Sequence, residues 1–493
     1  MGQMRFKLPR ADSLSDEALR SVYMSGMEGI AWRCDNTRDD DVLVVNRGLT
    51  ESGNLHVPWL VEGHGVVVLS TASCMERQAD YLLIVELARG TLGRLKGFAA
   101  EWQAADLDTP PGFDELFEQS THAFVRAATN QHNPDTVTAD AQQSIQAALD
   151  AIGLIGDAYA AYMISLRHDS ESRLSTLVAV NLGSHAIPTA AQTEVSDAFN
   201  GVAIPFSWRD IEKNPGEYDW SLVDAQVHWA QKRGLRICAG PLLQFDRHHL
   251  PDWLYLWEEN FEELQTSVTR FIQQVARRYQ QHVHIWNCGA RLNRHGALAL
   301  SEEDHLRLAV AAISSVRTID ASTPIVLSFD RPWGEYLANE PRDLSPLYFA
   351  EALSRADLGL AGIGLEFNFS YWPEGTLQRD LLEFNRQLER WASLGVPLMV
   401  FVTVPSDDAR DNQARQTATP TGPAGVNSPE TQCDLAKRLM SLFLAKPMVH
   451  GIVWNQLTDS QPHDYPHGGV LDASDTPKPI LQTLKNLRQL HCR

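Results

Sequence analysis

The sequence predicts an α/β protein: a TIM (β/α)8 barrel preceded by a small β-rich unit and a helical segment. Three observations carry this. From about residue 174 onward, eight short apolar runs alternate with amphipathic helical stretches, the pattern of a parallel sheet covered by helices. Eight such units over about 320 residues match the length of one barrel, whose ligand site then sits on the loops that follow the strands. No GxGxxG or GxxxxGK follows any of the runs, so the rival, a doubly wound nucleotide-binding sheet, lacks its signature.

Composition narrows the function classes. Of 493 residues, 44% are hydrophobic and 21% charged, enough for a large core and incompatible with wholesale disorder. Lys and Arg number 42 against 62 Asp and Glu, a formal net charge of −20. Such a surface repels phosphate backbones, so nucleic acid is a poor partner, while neutral ligands such as sugars stay open. The six cysteines (34, 74, 238, 288, 433 and 492) form no CxxC pair, which points to neither a zinc knuckle nor a disulfide framework. The first twenty residues lack the apolar stretch of a signal peptide, and no run of about 18 apolar residues occurs. A soluble, cytoplasmic protein without a membrane partner is expected, with export open where a leader has been removed.

Taken in order, residues 1–80 read as a β-rich N-terminal domain, with DDVLVVN (40–46), LHVPWLVE (55–62) and HGVVVLST (64–71) as strands. Residues 81–170 read as a helical segment packing on the barrel: 81–103 has helical apolar spacing, Pro110-Pro111 breaks it, and two further helices follow. Residues 171–493 hold the barrel. Its strands are TLVAVNLG, FNGVAIPFSW, RICAGPLLQF, VHIWNCG, PIVLSFD, GIGLEFNFS, LMVFVTVP and GIVWNQL. The polar stretch 406–429 is too long for an ordinary connection and reads as a solvated loop, with a mobile lid as the alternative.

The barrel region resembles glycoside hydrolase family 10, the xylanase-type barrels. WRDIEKNPGEYDW (208–220) is similar to that family's "W..IEP.PG.YDF" after the second strand. RICAGPLLQF with LPDWL (250–254) is similar to its third strand and "P.WL", and RRYQQHVHIWN (277–287) to "RY.G.V..WDVVNE" at the fourth. GIGLEFNFS (362–370), LGVPLMVFV (394–402) and GIVWNQLTD (451–459) with GGVLDASDTPKP (468–479) resemble the sixth, seventh and eighth strands. Six pieces hold their order over residues 200–490; the first 170 residues lie outside the match.

The resemblance implies a retaining glycosidase with two carboxylates about 5–5.5 Å apart, and here the matching positions depart from it. The acid/base glutamate slot holds Arg291 and the asparagine before it Ala290. The nucleophile slot falls on Phe401-Val402, or Thr403 with one residue of slippage, and LMVFVTVP contains no carboxylate. The second-strand positions for a sugar-binding Lys and Asn read Ile204-Pro205-Phe206-Ser207. An arginine cannot donate a proton at neutral pH, so ordinary endo-xylanase activity is not expected.

Other carboxylates fall on the expected loop face. Glu366 ends the sixth strand, Asp330 and Glu335 follow the fifth, and these three are the candidate catalytic groups. A carboxyl at an apolar strand end can have a raised pKa suited to an acid; the alternative is a structural ion pair of Glu366 with Arg291 or Arg331. Candidate substrate-binding residues are Trp454, Trp208, Trp333 and Trp372, whose rings would stack on sugar faces, with Asp246, Arg291 and Asp459 for hydroxyls. Trp454 occupies the position of the family's eighth-strand tryptophan. His248, His249, His463 and His467 lie on loops with Asp246 and Asp464 nearby, but their spacing matches no tight metal motif, so no metal or other cofactor is expected. Cys288 reads as a buried small apolar residue rather than a nucleophile.

Two functions remain at the level of sequence: hydrolysis of O-glycosidic bonds by relocated carboxylates, or an inactive barrel that binds an oligo- or polysaccharide or acts as a scaffold. The loop-face geometry discriminates. Two carboxylates about 5–9 Å apart across an open cleft favour the enzyme, and Glu366 locked to Arg291 favours binding.

Overall fold

The computed structural model describes residues 2–294, 296–369, 375–416 and 426–493. The eight apolar runs form a closed parallel barrel: β9 (Leu177–Asn181), β10 (Gly201–Ile204), β11 (Arg236–Ala239), β12 (Ile285–Ala290), β13 (Ile325–Asp330), β14 (Leu360–Asn368), β15 (Leu398–Thr403) and β16 (Val449–Trp454). They pair in sequence order, and β16 returns to β9. The runs read as the sixth and seventh strands therefore lie side by side in one sheet as β14 and β15, with Glu366 in register with Phe401.

Both faces of the sheet are buried, which is why the strands are apolar throughout rather than alternating. Leu327, Phe329, Leu365, Val400 and Val402 point outward into the helical layer. Their neighbours point inward, where Leu177, Ala179, Ala203, Cys238, Val326, Met399, Phe401 and Val453 form a separate apolar plug. Above the plug the inward positions turn polar at Ser328, Asp330, Glu366, Asn368 and Thr403. This change in residue type turns the C-terminal mouth into a site.

Side-chain caps start several barrel helices where the sequence supplies them. Asn260 accepts from the Glu263 N–H before helix Phe261–Tyr279, and Asp380 from the Glu383 N–H before Leu381–Ala392. Ser301 and Asp304 form a capping box before Glu302–Arg317. Ser345 and Ser428 cap helices that begin with Pro346 and Pro429, where the missing N–H of proline costs nothing.

The N-terminal region contains more strand than the three runs read from its sequence. One sheet has the order β4 (Cys34–Asp39), β5 (Val42–Arg47), β1 (Gly2–Lys7), β8 (Tyr81–Leu82); the other has β3 (Ala31–Trp32), β2 (Tyr23–Ser25), β6 (Asn54–Val61), β7 (Gly65–Ser70). Both pack on the helices Leu83–Ala104, Phe113–Thr129 and Pro134–Ser170 around one core. The last helix has 37 residues and is long and apolar enough to cross a bilayer by length and composition. Its apolar surface is used in two cores: Ile145 and Ile152 pack in the N-terminal one, Ala160 and Ile164 in that of the barrel. Lys446 ties it to the barrel, with Nζ donating to Tyr159 Oη (2.7 Å) and Glu389 Oε1 (2.8 Å).

The β2–β3–β6–β7 sheet sits over the loops that follow β13 and β14. Val68 N–H donates to the Gln378 carbonyl (2.9 Å), Asn339 donates to the Arg20 carbonyl (2.6 Å), and Arg94 pairs with Asp380 (2.8 Å). Tyr23 and Ala31 pack there against Tyr336, Leu337 and Ala338.

Candidate functional site

A cleft of 320 Å³ opens at the C-terminal mouth of the barrel. Its floor is Asn287, Ser328, Glu366 and Phe401; its walls come from the loops after β9, β11, β12 and β16, together with Arg415. An amide ring surrounds the floor. Asn181 Nδ2 donates to Asn455 Oδ1 (3.0 Å), Asn455 Nδ2 to Asn368 Oδ1 (3.2 Å), and Thr403 Oγ1 to the same Asn368 oxygen (3.0 Å). The strand runs VAVN, IWN, EFN and VWN each end in asparagine. That repeat is a sequence signal for Asn181, Asn287, Asn368 and Asn455, none of which is among the residues expected in the site.

Arg291 dominates the cleft. It follows β12 with a φ of 59°, a left-handed conformation that is costly outside glycine. Its amide donates to the Ser328 carbonyl (3.1 Å). The guanidinium binds Glu366 Oε2 through Nε (2.9 Å), donates to Tyr465 Oη, and approaches Asp464 (3.7 Å). Glu366 is 3% exposed and also accepts from Ser328 Oγ (3.2 Å) and Asn368 Nδ2 (3.1 Å). The ion-pair alternative raised by the sequence is therefore the arrangement found. Asp464 holds Arg415 at 2.8 Å; burial raises its carboxyl, but Arg291, His249 and Arg415 outweigh that and keep it below the ordinary range.

Asp330 is in register with Glu366 on the neighbouring strand, yet it is 6% exposed and does not line the cleft. Its backbone is held by one side chain: the N–H donates to Asn293 Oδ1 (3.2 Å), and the carbonyl accepts from Asn293 Nδ2 (2.9 Å). Burial pushes its carboxyl up to about 6, with the charge of Glu366 adding to the rise and Arg291 opposing it. The folded chain thus binds this proton more tightly than the unfolded chain. The stabilisation is complete below about pH 4 and lost as pH rises through 6. Asp330→Asn is expected to leave stability unchanged near pH 4 and to raise it at pH 8 by on the order of 2 kcal/mol, read from denaturant midpoints at the two pH values.

The other expected site residues go elsewhere. Glu335 does not share a ligand with Glu366: the turn Glu335–Ala338 carries it beneath the N-terminal sheet, 5% exposed, beside Arg379 (3.6 Å) and Arg331 (3.8 Å). Trp454 faces outward because Val453 faces in, and its indole donates to the Gly468 carbonyl (2.9 Å). Trp208 stacks on Phe271 at 4.8 Å and donates to Glu212 (2.7 Å). Trp333 donates to Glu383 (3.1 Å) with Arg379 over its ring. These three rings fill cores and offer no face to a ligand. Trp372 lies outside the described residues. Asp459 is a loop pin, accepting from Gln456 (2.8 Å) and the Gly469 amide (2.7 Å) and pairing with Lys478.

Asp246 acts at one remove. It accepts from the His248 amide (2.8 Å) and from His249 Nδ1 (2.7 Å), and so orients His249 and Gln244, both of which line the cleft. Burial raises its carboxyl, but His249 and Arg291 hold it well below the ordinary range. Among the described residues no three His, Cys, Asp or Glu side chains are arranged to hold a metal. Cys288 is fully buried and its thiol is raised by desolvation, the opposite of an activated nucleophile. Tyr465, Asn455, Gln244, Gln456 and Arg415 line the site without having been singled out in the sequence.

Fold and mouth together define a closed (β/α)8 barrel with a polar cleft at the C-terminal ends of its strands. The family model described as "Glycosyl hydrolase family 10" matches residues 173–289, the stretch from β9 into β12. Among solved structures, native xylanase 10B from Thermotoga maritima is similar at 15% identity, covering 65% of this chain and 97% of that one with a TM-score of 0.48. A xylanase of the same family from Thermobacillus composti gives 16%, 64%, 97% and 0.47. A protein described only as GH10 from Paenibacillus barcinonensis gives 17%, 64%, 96% and 0.48. No curated protein matches the chain.

Proposed function

We propose that this barrel binds an oligo- or polysaccharide in the mouth cleft without cleaving it. One observation carries the reading: the Arg291–Glu366 ion pair, 2.9 Å long, at the floor of the cleft. Arg291 occupies the slot in which the resemblance places the proton donor, and it holds Glu366 on the cleft floor in a charge pair. A glutamate held by a guanidinium, a hydroxyl and an amide is a poor nucleophile, and Asp464, the cleft carboxylate that shares this guanidinium, is itself paired with Arg415. The remaining lining suits neutral hydroxyls: the amides of Asn181, Gln244, Asn455 and Gln456 beside Leu182, Pro205, Pro241 and Tyr465.

The rival is hydrolysis by Glu366 with Asp330 as acid, and the raised carboxyl of Asp330 speaks for it. Burial of Asp330 behind the floor speaks against it, since an acid must reach the leaving oxygen.

The test is a panel of xylan, glucan, mannan and pectin, read for both retention and release of reducing ends. Retention of at least one member without new reducing ends is expected, with Asn455→Ala weakening it by about tenfold for a lost buried hydrogen bond. Release of reducing ends that disappears in Glu366→Gln overturns the proposal in favour of the rival.

A further inference from the structure

The segment 406–416, whose Arg415 lines the cleft, is held by a contact whose protonation the geometry dictates. His463 is 8% exposed. Its Nδ1 faces the Gln461 carbonyl oxygen at 2.7 Å and its Nε2 faces Asp411 Oδ2 at 3.0 Å. A carbonyl and an ionised carboxylate only accept, so both ring nitrogens must donate, and a ring with two N–H groups is an imidazolium. Asp411 is fixed as the anion. Burial raises its carboxyl, but the amides of His467 and Gln413 and the His463 ring outweigh that and hold it below the ordinary range. His467 adds a second imidazole, donating from Nε2 to the Ala409 carbonyl (2.7 Å) with Nδ1 3.8 Å from Asp411.

The pair reaches the ligand side through one further link. The Arg415 amide donates to the His463 carbonyl (2.9 Å), and its guanidinium holds Asp464, which faces Arg291. The charged and titratable groups around His463 are thus Asp411, Arg415 and, on its own loop, Asp464 and His467. Arg291 lies beyond Asp464, and His185 from the loop after β9 meets the Pro462 carbonyl (3.2 Å).

We propose that Asp411 and His463 form a protonation-dependent clasp on the cleft wall, closed while His463 is an imidazolium and loosened when it gives up its proton. The proton leaves Nδ1 or Nε2 to water, and whichever nitrogen loses it then sets a lone pair against an oxygen lone pair. Loss of that proton therefore loosens the wall that carries Arg415 and Asp464. The clasp does not depend on what the cleft binds.

Amide hydrogen exchange on the full chain tests this, followed for peptides within 407–416 and corrected for the intrinsic pH dependence of exchange. Protection is expected to fall by about tenfold between pH 5.5 and 8.5, the equivalent of one charge-assisted hydrogen bond. His463→Gln and Asp411→Asn are each expected to remove this step, while His467→Gln retains it. Equal protection in the unmodified chain at both pH values, or a step that survives His463→Gln, overturns the proposal. Nitrogen chemical shifts of the His463 ring in the unmodified chain give a second reading: a neutral ring at pH 6 overturns it as well.

Discussion

Arg291→Leu is expected to lower the melting temperature by roughly 8 °C, the largest drop we foresee for a residue of the cleft. Glu366 is 3% exposed and draws its compensating charge from this guanidinium. Removing one partner of a buried pair leaves an uncompensated charge and typically costs about 3–5 kcal/mol, and in a domain this large each kcal/mol moves the midpoint by about 2 °C. Asp464 loses a neighbour as well, although Arg415 still holds it. The double variant Arg291→Leu, Glu366→Leu is expected to recover most of the loss, because two apolar groups of similar volume need no solvation. Differential scanning calorimetry of the two single variants and the double variant closes the cycle. Additive losses would show that the pair contributes nothing as a pair.

Trp208→Ala is expected to cost about 4 kcal/mol, and by the same amount with or without saccharide present. The indole is buried against Phe271 and Trp253 and gives its N–H to Glu212. Truncation opens a cavity the size of a ring system and withdraws a donor from a carboxylate that is itself fully buried, with Arg270 at 3.6 Å as its ion-pair partner. A ring that stacked on a sugar would behave differently, losing affinity with little loss of stability. Urea unfolding of the two proteins, with and without the polysaccharide retained in the panel, separates the two roles.

The barrel was readable because a parallel strand is buried on both faces, so each strand stands out as a continuous apolar run between helical stretches. β1 and the two-residue strands β3 and β8 were not, since GQMRFK contains no β-branched residue and two residues are too few to show a period. In the cleft, sequence position placed Arg291 and Glu366 at the mouth and suggested their pairing. It could not orient the tryptophans. Whether Trp208 faces ligand or core depends on Phe271, 63 residues away on another helix, and Glu335 left the mouth because a turn one residue earlier, at Gly334 with a φ of 68°, redirects the chain. Long-range neighbours of this kind leave no local trace in the sequence.

The closure of β9 against β16 also sets an order of events during synthesis. Leu177 leaves the ribosome about 270 residues before its partner Gly451, so the first barrel strand has one unpaired edge for most of translation. The N-terminal sheet waits too, since Arg379 and Asp380, which meet Tyr23 and Arg94, emerge some 285 residues or more after them. At about 5–20 residues per second those intervals last tens of seconds. During that time an apolar strand edge and a sheet face with buried polar partners stand open to solvent and to other nascent chains. Synthesis rate and chaperone supply, rather than the stability of the finished barrel, are therefore expected to limit the yield of this chain, and slowing translation between residues 380 and 450 would lengthen the exposed interval.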